Sequence, residues 1–354
     1  MEANPFLGVV LHAIGGLAAA SFYLPYKQVR GWAWENYWIL GGFFSWIITP
    51  LIVSLLIIPN SFEIISQAPL STLFWTWFFG VLWGIGGLTF GLTMRYLGIA
   101  LGYAIALGLC AAFGTLVPPL FRGEFTSVIQ TVSGRVILFG VFVCLFGITL
   151  SGKAGMNKEK ELSDEQKKEK VKEFNFLKGL IVALFAGAMS ASMSYGLAAG
   201  KPIAAIAIEN GAPNLWQTLP VLAVVLLGGF TTNVIWCMYL ILRKGTLKDY
   251  FRNTYGSEKI SLAKNYLFCI FAGVLWYLQF FFYGMGTTKM GKYDFSSWTL
   301  HMASIIIFST LWGIALREWK GTSRRTHLWI ALGLTILILS TIIVGYGNKL
   351  ALLD

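Results

Sequence analysis

Long apolar runs separated by short polar connections dominate this chain. Ten runs stand out, at residues 5–25, 37–58, 72–94, 96–117, 136–152, 179–200, 215–242, 265–288, 295–316 and 328–348. A helix needs about 20 apolar residues to cross the hydrocarbon core of a bilayer. Lipid offers backbone N–H and C=O groups no partner, so runs of this length predict helices, which close their hydrogen bonds internally. The period-two alternation of a barrel strand is absent. The pattern therefore predicts an all-α membrane protein with ten transmembrane helices.

Composition sharpens this picture. Of 354 residues, 56% are hydrophobic and only 12% charged, against about 25% charged in soluble domains. The longest hydrophilic stretch, 153–178, is far below the size of a domain. No separate catalytic or nucleotide-binding domain is expected. Cys110, Cys144, Cys237 and Cys269 fall in four different runs with no Cys-x-x-Cys pair, which reads as small buried apolar side chains. No basic residue precedes the first run and no small-residue cleavage site follows it, so no cleavable signal is expected.

The net charge of +11 would suggest nucleic acid in a soluble protein. Here the basic residues sit in short loops, and 21 of the 27 Lys and Arg follow the odd-numbered runs. Positive loops stay cytoplasmic. Both termini are expected outside and the 153–178 stretch inside, as a solvated helix or linker. No nucleic-acid partner is expected.

The two halves of the chain resemble each other. GVLW occurs at 80–83 and at 273–276, an offset of 193 that also pairs Gly91 with Gly284, Gly98 with Gly291, Gly140 with Gly333 and Gly152 with Gly345. LGGF occurs at 40–43 and at 227–230. Gly16, Ala20 and Ser21 match Gly187, Ala191 and Ser192. Five helices per half is an odd number, so the halves would cross the membrane in opposite senses. The expected organisation is a five-plus-five inverted repeat: 1–152, a charged cytoplasmic linker 153–178, and 179–354. Secondary transporters built this way hold substrate near the bilayer midplane between the repeats. Gly80-xxx-Gly84, Gly87-xxx-Gly91, Gly98-xxx-Gly102 and Ala183-xxx-Gly187 are spaced for close helix packing.

The segments SFYLPYKQVRGWAWE (21–35), GLTMRYLG (91–98), GKP (200–202), GVLWYLQFFFYG (273–284), YDFSSWTLHM (293–302) and the Glu318-Trp319 pair before Arg324-Arg325 resemble the bacterial L-rhamnose–proton symporter family. That family is part of the drug/metabolite transporter superfamily, and the segments span almost the whole chain. The resemblance implies a sugar–proton symporter of the inner membrane. It needs no cofactor beyond the proton as coupling ion, and no obligate protein partner is expected. Where the family pattern carries amide side chains and a tyrosine after Gly84-Ile85-Gly86, this chain has Gly87, Thr89 and Phe90. That departure bears on the sugar more than on the class of transport.

The residues themselves nominate the chemistry. The ten runs as drawn contain no Asp, Glu, Lys or Arg; His12 and His301 remain. An ionisable group inside a membrane is a functional candidate by default, and histidine titrates in the working range. Both are proton-coupling candidates, with a neutral hydrogen-bonded histidine as the alternative. Asp294, seven residues before His301, lies about 10 Å away along a helix. It could relay a proton through water, or cap the helix. Sugars are held by planar amides on vicinal hydroxyls and by aromatic faces on C–H patches. Trp276, Gln279 and Tyr283 share one helix face at i, i+3, i+7. Trp83 is the repeat mate of Trp276, Asn233 offers a second amide, and Lys201 stands at the end of the sixth run, where snorkelling is the alternative. Aromatic packing and interhelical hydrogen bonds are the structural alternative for this set.

These features favour a proton-coupled symporter of a neutral sugar. A drug or metabolite exporter is the alternative, although such exporters commonly use a membrane carboxylate that the runs lack. An intramembrane enzyme would need Gly-x-Ser-x-Gly or His-Glu-x-x-His, and neither is present. A receptor would lack an appended domain through which to signal.

Overall fold

A computed structural model describes residues 3–97, 99–161, 175–255 and 258–353. Among these described residues, ten helices are long and apolar enough to cross a membrane. They are α1 (Pro5–Ser21), α2 (Trp34–Ile57), α3 (Leu70–Leu97), α4 (Ile99–Phe121), α5 (Val132–Lys160), α6 (Phe176–Ala199), α7 (Leu219–Lys244), α8 (Leu262–Thr287), α9 (Ser297–Ala315) and α10 (Arg324–Leu350). The chain is an all-α, multi-pass membrane protein, apart from a two-stranded antiparallel hairpin pairing Thr254–Tyr255 with Glu258–Lys259.

Most helix ends shift by a few residues from the apolar runs, and three of the differences matter. α2 begins at Trp34, three residues before the run, and so takes Glu35 into the helix, wholly buried. A π-helical turn at Phe44–Ile48 interrupts it. α5 starts earlier, where the Thr131 hydroxyl accepts from Gly134 N at 3.1 Å, and runs on into the charged stretch. There Lys153 and Lys158 lie over the rings of Trp329 and Trp319. Apolar counting misses such residues because aromatic contacts and caps extend a helix past its apolar run. Past Gly200, α6 gives way to a short helix, Lys201–Glu209, with Pro202 in its first turn, where proline costs no hydrogen bond. Residues 162–174 of the linker, and Gly98 of the glycine pairs, lie outside the described residues.

The helices form two compact units, residues 1–17, 85–195 and 282–354, and residues 18–84 and 196–281. Each unit draws on both halves of the sequence. In the first, α5 and α10 pack through small residues. A Cβ on Gly140 would stand 3.1 Å from Val344 N, and one on Gly333 would stand 3.1 Å from Ser151 N. Moved on by 193, Gly140 and Ser151 are Gly333 and Val344, so the two contacts interchange under the repeat offset. In the second unit a Cβ on Gly80 of α3 would lie 3.1 Å from Gly228 Cα of α7. One on Gly273 of α8 would lie 3.0 Å from Phe44 Cβ and closer still to Gly41 O in α2. Gly41 and Gly228 are the matching glycines of the two LGGF segments. Gly87 and Gly91, spaced for close packing, instead have nothing within 4 Å of a would-be Cβ: spacing permits close approach, and the neighbouring helix decides whether it occurs.

Candidate functional site

In the first unit, α4 holds α9 by two polar contacts. Trp298 Nε1 donates to the Cys110 carbonyl at 3.1 Å, and the hydroxyls of Thr299 and Thr115 share a hydrogen bond of 2.8 Å. One turn further on, His301 is fully buried. Its ring meets Tyr283 of α8 edge-on at 5.3 Å, and Tyr283 also lies 5.2 Å from the ring of His12 of α1. Trp298 also stands edge-on to Tyr283, at 5.8 Å. A Cβ on Gly286, one turn after Tyr283, would come within 2.9 Å of the His12 imidazole, so a glycine is what lets α8 close on α1 here. Both ring nitrogens of His12 are buried without a hydrogen-bond partner among the described residues, an arrangement that calls for a functional explanation.

Asp294 precedes α9. It lies in the turn Gly291–Ser296, with Oδ1 3.8 Å from Arg122 Nη2, while Arg122 Nε sits 3.2 Å from Glu124. Asp294 does not cap α9, since Ser296 holds the cap position without a side-chain bond.

In the second unit three indoles converge. Trp46 stands edge-on to Trp83 at 5.9 Å and to Trp276 at 5.5 Å, and Trp83 and Trp276 are 5.4 Å apart. Phe280 extends the cluster, 5.3 Å from Trp276. Gln279 is buried, and its Nε2 donates to the Trp276 carbonyl at 2.9 Å. Asn233 Oδ1 accepts from Trp38 Nε1 at 3.0 Å, and its Nδ2 donates to Gly229 O at 2.9 Å. Asn233 thus orients Trp38, which in turn stands edge-on to Trp46 at 6.0 Å. Lys201 is exposed at the start of its short helix. Trp276, Gln279 and Trp83 are therefore brought together, with Asn233 tied to them through Trp38 and Trp46. Tyr283, expected on the Trp276 face, contacts the histidines.

Trp46 and Trp298 escaped the sequence reading. The LGGF register pairs Trp46 with Asn233, and that correspondence could have nominated it. Its π-helical turn has no sequence signature, and such turns recur at functional sites. Of the departing positions, the Thr89 hydroxyl bonds back to the carbonyls of Ile85 and Gly86. Glu35, missed inside its helix, has Lys244 Nζ at 3.2 Å and Thr246 Oγ1 at 3.4 Å.

Chemically, the first cluster places two imidazoles on one phenol ring out of reach of water. The second offers indole faces beside an amide. A family model described as L-rhamnose-proton symport protein matches residues 1–350. Curated relatives named L-rhamnose-proton symporter, from Yersinia pestis and Yersinia pseudotuberculosis, are 38% identical over 343 residues, covering 96% of this chain and 97% of theirs. One from Salmonella gallinarum is 38% identical over 342 residues with the same coverage.

Proposed function

We propose, from the premise that this chain belongs to the L-rhamnose–proton symport protein family, that it imports L-rhamnose or a closely related neutral monosaccharide together with a proton, by alternating access. It is a transporter and not an enzyme. One observation carries the reading: the family match is continuous over residues 1–350 and so includes both the imidazole and the indole clusters.

The two clusters divide the work. Trp46, Trp83 and Trp276 supply apolar faces for the C–H patches and the methyl group of a 6-deoxy sugar, and Gln279 supplies the amide for its hydroxyls. His12 and His301 take the proton, with Tyr283 in contact with both as a ring whose π-face stabilises an adjacent cation. Like charges on both imidazoles would repel, which favours one proton at a time. Asp294 stands just before α9, within electrostatic reach of Tyr283, and Lys201 at the start of its short helix. No cofactor, nucleic acid or obligate protein partner enters this scheme. The five-plus-five inverted repeat is supported by the contacts that interchange under the 193-residue offset. A bacterial inner-membrane location with both termini periplasmic is supported by the 21-to-6 bias of basic residues. A reporter fused after Asp354 should be active only outside the cytoplasm.

Uptake of labelled L-rhamnose into membrane vesicles tests the main reading. Accumulation above equilibrium is expected when the outside is made acidic, and collapse when a protonophore is added. Uptake indifferent to the proton gradient overturns the coupling, and exclusion of L-rhamnose alongside transport of another sugar overturns the substrate.

A further inference from the structure

At one end of α10 the structure forms a groove of about 360 Å³ between the last turn of α9, the connection that follows it and the first turns of α10. Ile314, Ile330, Ala331 and Leu334 make its walls, and they run down the helices toward the hydrocarbon core. Arg317, Lys320 and His327 make its rim, with Trp319 beside them. The connection, residues 316–327, carries Arg317, Lys320, Arg324 and Arg325 against a single acidic residue, Glu318. None of those four cations has an acidic partner within ion-pair distance among the described residues. A nearby carboxylate, Glu161, is already engaged by Ser323 and Thr326.

Two further features mark the groove as built. Arg317 is the only described non-glycine residue with a left-handed backbone, at φ 57°. Glycine would hold this turn without strain, so an arginine kept in a strained position points to use of its side chain. Trp319 is held by Lys158, whose Nζ lies 4.5 Å above its ring. An aromatic ring at a helix end suits the membrane interface. The groove near the other end of α10, lined by Pro5, Phe6, Tyr346 and Leu352, has one cation, Lys349. It has the apolar walls without the charge.

We infer that the groove of Ile314, Ile330, Ala331 and Leu334 binds an anionic phospholipid, its acyl chain along the walls and its phosphate held by Arg317 and Lys320. Apolar walls topped by cations match a lipid whose phosphate stays at the interface while its chain is buried. This inference rests on the chain's spanning a membrane and not on which sugar it carries.

The test is native mass spectrometry of the full-length protein released from detergent in the presence of phosphatidylglycerol, phosphatidylcholine or glycerol phosphate. Phosphatidylglycerol should be retained in preference to the other two. Each of Arg317→Gln and Lys320→Gln should weaken its retention about fivefold. Ala331→Trp, which fills the groove and leaves every charge in place, should abolish it, while Lys349→Gln should change nothing. Equal retention of phosphatidylcholine overturns the inference, as does glycerol phosphate binding as tightly as the whole lipid, or phosphatidylglycerol retention undiminished in Ala331→Trp. Thermal melting of each variant establishes that it is folded, and sugar binding reports the transport site separately.

Discussion

Glu35 and Lys244 form an asymmetric pair, and the asymmetry gives a measurable consequence. The carboxylate is wholly buried and the Lys244 side chain is 46% exposed. Removing the lysine leaves a buried charge with only the Thr246 hydroxyl, 3.4 Å away. Breaking a buried pair from that side costs about 3–5 kcal/mol, and the lower end applies because water can reach the place Lys244 leaves. Removing the carboxylate instead leaves a solvated ammonium and an intact acceptor, at about 1 kcal/mol. Lys244→Met should therefore destabilise by about 3 kcal/mol, Glu35→Gln by about 1, and the double variant by about 1 again, a coupling of roughly 2–3 kcal/mol. All four cysteines are buried, so a thiol-reactive dye reports unfolding in detergent directly. At about 2 °C per kcal/mol, the Tm of Lys244→Met should fall by about 6 °C, and Glu35→Gln should restore most of it. The neighbouring contacts extend the effect to the site. Asn36 bonds the Thr246 carbonyl at 2.7 Å, so this end anchors the helix carrying Trp38 and Trp46, and sugar affinity should fall with Tm. A Lys244→Met variant no less stable than Glu35→Gln, or a double variant whose loss equals the sum of the single ones, would refute the reasoning.

Three other predictions concern the clusters and the surface. At least one of His12→Gln and His301→Gln should lose uphill uptake while keeping sugar exchange; if both still accumulate sugar with normal pH dependence, neither imidazole carries the proton. Gln279→Ala should weaken sugar binding by about 0.5–1.5 kcal/mol, roughly two- to twelvefold, read by ligand titration, and unchanged affinity removes Gln279 from the site. Glu161 is held below the usual carboxylate range, first by the Ser323 hydroxyl and then by Ser323 N and the Thr326 hydroxyl. Its folded value is depressed, so its bonds to the start of α10 stabilise fully above the unfolded value near 4.5 and are lost as pH falls through the folded one. Amide hydrogen exchange at the start of α10, corrected for the intrinsic rate, should therefore speed up on acidification; in Glu161→Gln it should be fast at every pH.

The ten helices were legible in the sequence because lipid leaves an apolar run of that length almost no other fold. The same logic singled out His12 and His301, since an ionisable side chain inside such a run stands out against its neighbours. What apolar counting could not see was where polar residues are drawn inward. Glu35 joins α2 because Lys244, some two hundred residues away in the chain, meets it, and nothing local to residues 34–36 records that. Asp294 likewise meets Arg122, which lies on a different element. Spacing on α8 grouped Trp276, Gln279 and Tyr283, and periodicity was right about their shared helix. It could not tell that Tyr283 meets imidazoles from α1 and α9 while Trp276 meets indoles from α2 and α3. Those partners depend on which helices become neighbours, and small residues such as Gly41, Gly80, Gly228 and Gly273 decide that by letting backbones approach. Trp46 was the least legible of all. A π-helical turn shifts its direction relative to a regular helix, so its place beside Trp83 and Trp276 is a property of the tertiary structure alone.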